Sequence, residues 1–323
     1  MGWPQNTREF VVGAGAKSGT NLLGETLAWD LPKTGILGAI LLVITGNLTT
    51  APSTPNAQGK SRLIRRVRLT ANAGINLCDF SGGGYHWLIR DYCEHLIDPV
   101  PQSDARAVAA SGAFDLSMHI PISINSRDPL GLVNLQNPDT QLRLEVEVAP
   151  TTDLANDYTV YTYTVAPYLQ MFKMPLAKED RPKFDFLQTF QEDANAVTSG
   201  VEFVYPWLRG NTYMSVVHGC TLNAALTNSY TTAALRVNQN DYLRPPLGPT
   251  FYAREFSKMR GRTVPGGTFG FDLVSLSGLG NYGSLRDLLN TAQLTDIQSV
   301  IVPSATTTLF SMKRQLVYLG EAK

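Results

Sequence analysis

Between Gly112 and Val148 the chain carries two stretches in which apolar and polar residues alternate one for one. In the first, Phe114, Leu116, Met118, Ile120, Ile122 and Ile124 fall on one side, and Asp115, Ser117, His119, Ser123 and Asn125 on the other. In the second, Leu142, Leu144, Val146 and Val148 alternate with Gln141, Arg143, Glu145 and Glu147. Successive side chains of a strand point to opposite faces, so each stretch offers one face to a core and one to something polar. The sixteen-residue connector, Asn125 to Thr140, is too long for a tight hairpin and contains Pro129 and Pro138. The pair is therefore predicted to cross between two sheets, as strands of sandwiches and jelly rolls do.

At 323 residues the chain is long for one sandwich and comfortable for two. Charged residues make up 17% of it, and 27 Lys plus Arg balance 27 Asp plus Glu, for a formal net charge of zero. So few charges leave little to keep copies apart, which favours self-association. The balance also argues against a chain that coats nucleic acid as a whole. Cys78, Cys93 and Cys220 are too few and too scattered for a secreted disulfide framework, so a reducing compartment is expected. The start, MGWPQNTREF, has no secretory signal layout. The longest apolar run, Ile36 to Thr45, is about half a bilayer span and reads as a buried strand.

Strands are predicted over Arg8–Val12, Glu25–Leu31, Ile36–Leu48, Leu63–Thr70 and Ile75–Phe80. A helix follows over Tyr85–Ile97, with Tyr85, Leu88, Ile89, Tyr92 and Leu96 on one face and Pro99 and Pro101 as its stop. After a break at Ala149–Asp153, further strands are predicted over Asp157–Ala166, Val201–Tyr205, Tyr213–Leu222, Thr232–Val237, Thr250–Phe256, Phe269–Leu276, Ile297–Val302 and Thr306–Tyr318. A short helix is predicted at Leu285–Leu294. The chain is thus all-β, with residues 1–150 and 151–323 as its two domains, each of about eight strands with a few short helices. The halves do not align residue by residue, so any repeat is one of architecture.

Chemistry-bearing motifs are absent. Gly13-Ala14-Gly15-Ala16-Lys17-Ser18 has Val11 and Ala16 where a phosphate loop needs glycines, and reads as a turn. Ser81-Gly82-Gly83-Gly84 could face an anion at a helix start, but no βαβ unit surrounds it. His86, His95, His119 and His218 form no metal-ligand set. Glu145 and Glu147 imitate a glycosidase pair, yet same-face carboxylates beside Arg143 fit a solvated face or a subunit contact. No serine has a strained nucleophile context. No enzyme, cofactor or metal site is expected.

One basic cluster stands out. Lys60, Arg62, Arg65, Arg66 and Arg68 fall within nine residues. Alternation puts Arg62, Arg66 and Arg68 on one face with Ile64, and Leu63, Val67 and Leu69 on the other with Arg65. Lys60, Arg62, Arg66 and Arg68 are the candidate contact with anionic lipid heads, nucleic acid or an acidic neighbour. The plainer reading is an exposed strand face or interface salt bridges.

Several segments resemble the double jelly-roll major capsid proteins of tailless icosahedral viruses, the tectivirus–adenovirus lineage. Ile120-Pro121-Ile122, the connector with Leu130-Gly131, and Gln141 to Val146 look like the end of the first roll in tectivirus coats. Tyr158 to Leu169 is similar to the opening strand of the second roll. Gly200 to Tyr205, running into Asn211 to Met214, resembles a segment farther into it. The resemblance implies two consecutive eight-stranded jelly rolls and a pseudo-hexagonal homotrimer tiling the capsid of a bacterial virus with an internal membrane. Partners would be further copies of the chain, penton and minor capsid proteins and membrane lipids, with no specific nucleic-acid sequence. The place of synthesis would be the host cytoplasm. Two other readings stand beside it: a carbohydrate-binding or carbohydrate-cleaving two-domain β-sandwich, using Tyr158, Tyr161 and Tyr163, and a minor vertex or spike protein.

Overall fold

The two alternating stretches, Phe114–Ile124 and Leu142–Val148, both bury their apolar side. The computed structural model describes residues 9–21, 24–48, 62–72, 74–82, 86–87, 89, 112–124, 130–150, 161–222, 225–239, 241–260, 266–273 and 288–319. The chain divides into two units: residues 1–88, 101–191 and 317–323, and residues 89–100 and 192–316.

The first unit is built from β1 (Glu9–Gly13), β2 (Lys17–Asn21), β3 (Glu25–Asp30), β4 (Ile36–Leu48), β5 (Ile64–Ala71), β6 (Ile75–Phe80), β7 (Gly112–Pro121), β8 (Val133–Asn134), β9 (Leu142–Val148) and β10 (Tyr161–Phe172). One sheet runs β1-β10-β4-β7, with β2 continuing the line of β1 along β10. The other runs β3-β9-β5-β6. With β1 and β2 counted as one interrupted strand and the two-residue β8 set aside, the order is first-eighth-third-sixth in one sheet. It is second-seventh-fourth-fifth in the other. That is the double Greek key of a jelly roll. Its inner faces carry Ile40, Leu42, Ile44, Leu116, Met118, Ile120, Leu144, Val146, Val165 and Leu169, all buried. As predicted, β7 and β9 lie in different sheets, so the long connector does cross between them.

The second roll, most of it in the second unit, repeats the plan with β11 (Phe186–Val197), β12 (Phe203–Pro206), β13 (Thr212–Leu222), β14 (Ala225–Leu226), β15 (Tyr230–Val237), β16 (Asp241–Leu247), α1 (Pro249–Arg260), β17 (Thr268–Asp272), β18 (Leu289–Asn290), β19 (Ile297–Pro303) and β20 (Thr307–Tyr318). Without the two-residue β14 and β18, its sheets run β11-β20-β13-β17 and β12-β19-β15-β16. The order is again first-eighth-third-sixth and second-seventh-fourth-fifth. The all-β double jelly roll is therefore present, and the repeat lies in topology. Each roll also places helix between its fifth and sixth strands, α1 in the second and residues 86, 87 and 89 in the first.

Several local expectations fail for identifiable reasons. Thr250–Phe256 is helix rather than strand: Pro249 presets φ at the first helical position, and Gly248 O accepts from Phe251 N (3.0 Å) and Tyr252 N (3.4 Å). Within Leu285–Leu294, the described residues from Leu288 onward form no helix. Leu289 pairs with Tyr213, while Asn290 Oδ1 accepts from Ala292 N (2.9 Å) and Thr291 Oγ1 donates to Asn211 O (2.7 Å), side-chain bonds that compete with a helix. The strand β10 continues through Pro167 and closes the first roll, so Tyr158–Leu169 does not open the second and β10 lies beyond the expected boundary at residue 150. Pro167 is tolerated because its nitrogen side faces the turn Ala14–Ala16 between β1 and β2, where Ala14 N reaches Pro167 O at 2.9 Å. Most of the predicted helix Tyr85–Ile97, together with Lys60, Cys93, His95 and Tyr158, lies outside the described residues.

Candidate assembly surfaces

The basic strand β5 owes its final facing to a bulge. Ile64 pairs with Val148 and Arg66 with Glu147, which leaves Arg65 as an extra residue and shifts the phase of the strand. Ile64 thereby joins Val67, Leu69 and Ala71 on the buried side, and Arg65, Arg66 and Arg68 are all turned outward. The expectation of Ile64 beside Arg66 and Arg68 is thus corrected.

Neighbouring strands answer these arginines. Arg66 donates from Nε and Nη2 to the two carboxylate oxygens of Asp79 on β6, both at 2.8 Å. Arg68 donates to Glu145 Oε2 on β9 at 2.9 and 2.6 Å, and Arg143 reaches Glu145 Oε1 at 3.0 Å. Arg65 lies 3.4 Å from Glu147, and Arg143 lies 3.9 Å from Asp30 on β3. The Asp79 hydrogen bond holds the Arg66 guanidinium above its ordinary pKa. Burial pushes the Glu145 carboxyl up, but hydrogen bonds from Arg68 and Arg143 outweigh it and bring it below the usual range. Four arginines thus meet four carboxylates in one ladder, and Glu145 and Glu147 are engaged by cations rather than poised for acid–base work. Arg62 stands apart, half-buried, its Nε without a hydrogen-bond partner among the described residues.

The opposite sheet of the first roll has an outer face of another kind. Its cross-strand rows read Gly13–Tyr168–Leu41–His119, Ala166–Val43–Ser117, Ser18–Thr164–Thr45–Asp115 and Thr20–Thr162–Asn47–Ala113. Hydroxyl, small and apolar side chains dominate these rows, with Leu41 40% and Tyr168 42% exposed. Tyr163 points the other way: it is buried and its hydroxyl donates to Glu25, so it offers no platform for a sugar. Lys17, the lysine of the phosphate-loop look-alike, donates to Ala28 O and lies 5.2 Å from the Trp29 ring centroid.

The second roll hides a polar chain that the sequence did not reveal. His218 on β13 is wholly buried, with Nδ1 2.8 Å from Ser311 Oγ on β20 and Nε2 2.8 Å from Ser299 Oγ on β19. It thereby ties the two sheets of that roll together. Ser299 Oγ also accepts from Trp207 Nε1 at 2.9 Å. Burial pushes the His218 pKa down to about 3. A Ser–His pair sealed from solvent is a packing clip, not a nucleophile. Nearby, Lys313 Nζ sits 2.8 Å from Asp193, which also accepts from the Tyr205 hydroxyl. Among the described residues no group of three His, Cys, Asp or Glu could hold a metal ion, and no helix is long and apolar enough to cross a membrane.

No protein-family profile matches the sequence, and no curated protein does either. Solved structures do match in fold. The STIV major capsid protein aligns with a TM-score of 0.73 at 12% identity, over 96% of this chain and 97% of that one. The major capsid protein P2 of bacteriophage PM2 aligns at 0.61 and 10% identity, over 98% and 99%. VP54 of PBCV-1 aligns at 0.68 and 8% identity, over 96% and 94%. These structures share the double jelly-roll fold with this chain over almost their whole length.

Proposed function

We propose that this chain is a major capsid protein, a structural protein that assembles as a homotrimer and tiles the icosahedral shell of a virus. The observation that carries the reading is a single chain holding the same eight-strand order twice, matched over almost its whole length to capsid proteins of that plan. Three copies of two similar rolls offer six comparable corners, so a three-fold object can occupy a hexagonal position. Low charge and zero net charge suit lateral self-contact. On this reading the protein resides in the virion capsid after synthesis in the host cytoplasm, and has no enzymatic role. Its partners are further trimers, penton and minor capsid proteins and the lipids of an internal membrane.

The basic strand is the candidate inner contact. Arg62, with Lys60 before it, is its best-placed part, because Arg66 and Arg68 would have to leave Asp79 and Glu145 to reach a lipid head. An Arg62→Ser variant should float less well with vesicles of anionic phospholipid while keeping its oligomeric mass; unchanged flotation removes that contact.

Among the described residues of the carbohydrate reading, Tyr163 is buried and Glu145 and Glu147 are ion-paired, which removes them from a sugar-binding role; Tyr158 and the Tyr161 side chain lie outside the described residues. Light scattering on the size-exclusion peak tests the capsid reading. A dilution-resistant species of about 106 kDa, three times the 35.3 kDa chain, is expected, and a clean monomer contradicts it.

A further inference from the structure

The second strand of each roll ends a sheet, and the two rolls fasten it differently. In the first roll β3 pairs with β9 over six positions, Glu25–Asp30. Two side-chain bonds to main-chain carbonyls add to that ladder, from Lys17 Nζ to Ala28 O and from Trp29 Nε1 to Gly15 O at 2.8 Å. Its carboxylate contact, Glu25 with Tyr163, lies at the exposed first residue of the strand. In the second roll β12 pairs with β19 over four positions, Phe203–Pro206, and has no strand on its other side among the described residues. Pro206 brings no backbone donor, and Val201, Val204 and Leu208 are exposed.

The polar anchors of β12 on the inner side lead to two titratable groups. The Tyr205 hydroxyl donates to Asp193 on β11, whose carboxylate also meets Lys313 Nζ from β20 at 2.8 Å. Lys313 lies 5.6 Å from the Tyr205 ring centroid, and its side chain is 9% exposed. The Tyr205 ring stands T-shaped to that of His218, centroids 5.6 Å apart, and Trp207 shares Ser299 Oγ with His218. Trp207 also packs on Tyr213, centroids 4.8 Å apart, an apolar hold that acid leaves untouched. His218 is faced by Ser311 from β20, Ser299 from β19, Phe269 and Phe271 from β17 and Tyr205 from β12. Asp193 is faced by Lys313 and Tyr205, and its charge is felt by Tyr213 of β13. Burial pushes the Tyr205 and Tyr213 hydroxyls up, so neither titrates in acid.

We propose that β12 is an acid-released strap: protons taken up by His218 and Asp193 free residues 201–208 from the second roll while its other strands hold. The device lies within one roll and does not depend on assembly. Lifting β12 takes Tyr205 off the His218 ring and Trp207 off Ser299, which lets water reach the imidazole. Burial holds the closed His218 at about 3, against an ordinary 6.5. The opened state therefore binds a proton that the closed state refuses, and opening is favoured as pH falls below about 6.5. At Asp193 burial pushes the carboxyl up, but hydrogen bonds from Lys313 and Tyr205 outweigh it and hold it below its ordinary range. Its protonation, at lower pH still, strips the buried Lys313 of its counter-charge and adds to the release. The main-chain carbonyls that anchor β3 do not titrate, so the first roll keeps its second strand.

Hydrogen–deuterium exchange of the whole chain, corrected for the intrinsic rate at each pH, tests the strap. Between pH 7.5 and pH 4.5, residues 201–208 should lose protection by about tenfold or more, while 212–222 and 25–30 keep theirs. Asp193→Asn, which imitates the protonated carboxyl, should exchange faster over 201–208 already at pH 7.5. His218→Gln should narrow the difference between the two pH values. Equal protection of 201–208 at both pH values in the wild type overturns the proposal. So does a loss in step with 212–222, which marks unfolding of the whole roll.

Discussion

The two rolls share a strand order and fill it with different chemistry. The first buries mainly aliphatic side chains, among them Ile40, Leu42, Ile44, Leu116, Leu144 and Val146, with a smaller ring cluster of Phe80, Trp87 and Phe190. The second packs Tyr205, Trp207, Tyr213, Tyr230, Tyr252, Phe269 and Phe271. Buried tyrosines and tryptophans bring polar tips that need partners. Accordingly, Tyr252 donates to Ala233 O at 2.9 Å, Tyr213 to Leu208 O at 3.2 Å, and Trp207 to Ser299 at 2.9 Å. Alternation and strand order therefore define this architecture, while the filling is free to vary. The aromatic filling makes the second roll the one that answers to acid and to small polar deletions.

The largest expected effect comes from removing a ring at the centre of that filling. Phe269 contacts Tyr230, Tyr252, His218 and Phe271, so Phe269→Ala should destabilise the second roll by about 3–5 kcal/mol in denaturant titrations. A loss as small as that of a surface substitution would break the comparison.

Acid comes next. Burial holds His218 neutral down to about pH 3, whereas its unfolded pKa is 6.5. Between those values the unfolded chain takes a proton that the folded one refuses, so stability falls as pH drops, by about 3 kcal/mol at pH 4 from this group. His218→Gln should flatten that part of the pH–stability curve, and an unchanged slope would assign the acid response elsewhere. Ser299→Ala, which strips a partner from both Trp207 and His218, should cost about 1–3 kcal/mol, read as a lower denaturant midpoint.

The smallest effect belongs to the first roll's surface. Arg68→Met leaves Glu145 with Arg143 alone, and should cost no more than about 1 kcal/mol because such pairs are partly solvated. That difference should shrink in 1 M salt, where screening is strong. A loss above that of Ser299→Ala would make the ladder, rather than the aromatic core, the more sensitive element.

Much of this plan is legible in the sequence where one side of a strand is consistently apolar. Ile36–Leu48 matches β4 from end to end, and the alternating sets around Met118 and Leu144 are buried as read. The reading fails where neighbours override local pattern. In β11, the run FLQTFQEDANAV is polar because it passes from one unit to the other, with Gln188 held by Pro121 O and Asp193 by Lys313, partners far off in sequence. Proline misleads at Pro167, where the absent donor faces a turn, and aromatic residues mislead at Thr250–Phe256, where Pro249 starts a helix. On β5 the sequence marked the arginines but not their neutralisation. Arg68 and Glu145 are 77 residues apart and meet only through the pairing of β5 with β9. His218 gave no signal because its partners, Ser299 and Ser311, are ordinary serines until two sheets bring them to one ring.

The central claim is that a chain of two like rolls closes with three-fold symmetry. Class averages of the purified oligomer by electron microscopy test it most directly. The account predicts a three-fold particle with six lobes of similar size. Two-lobed single chains or a two-fold dimer would contradict it.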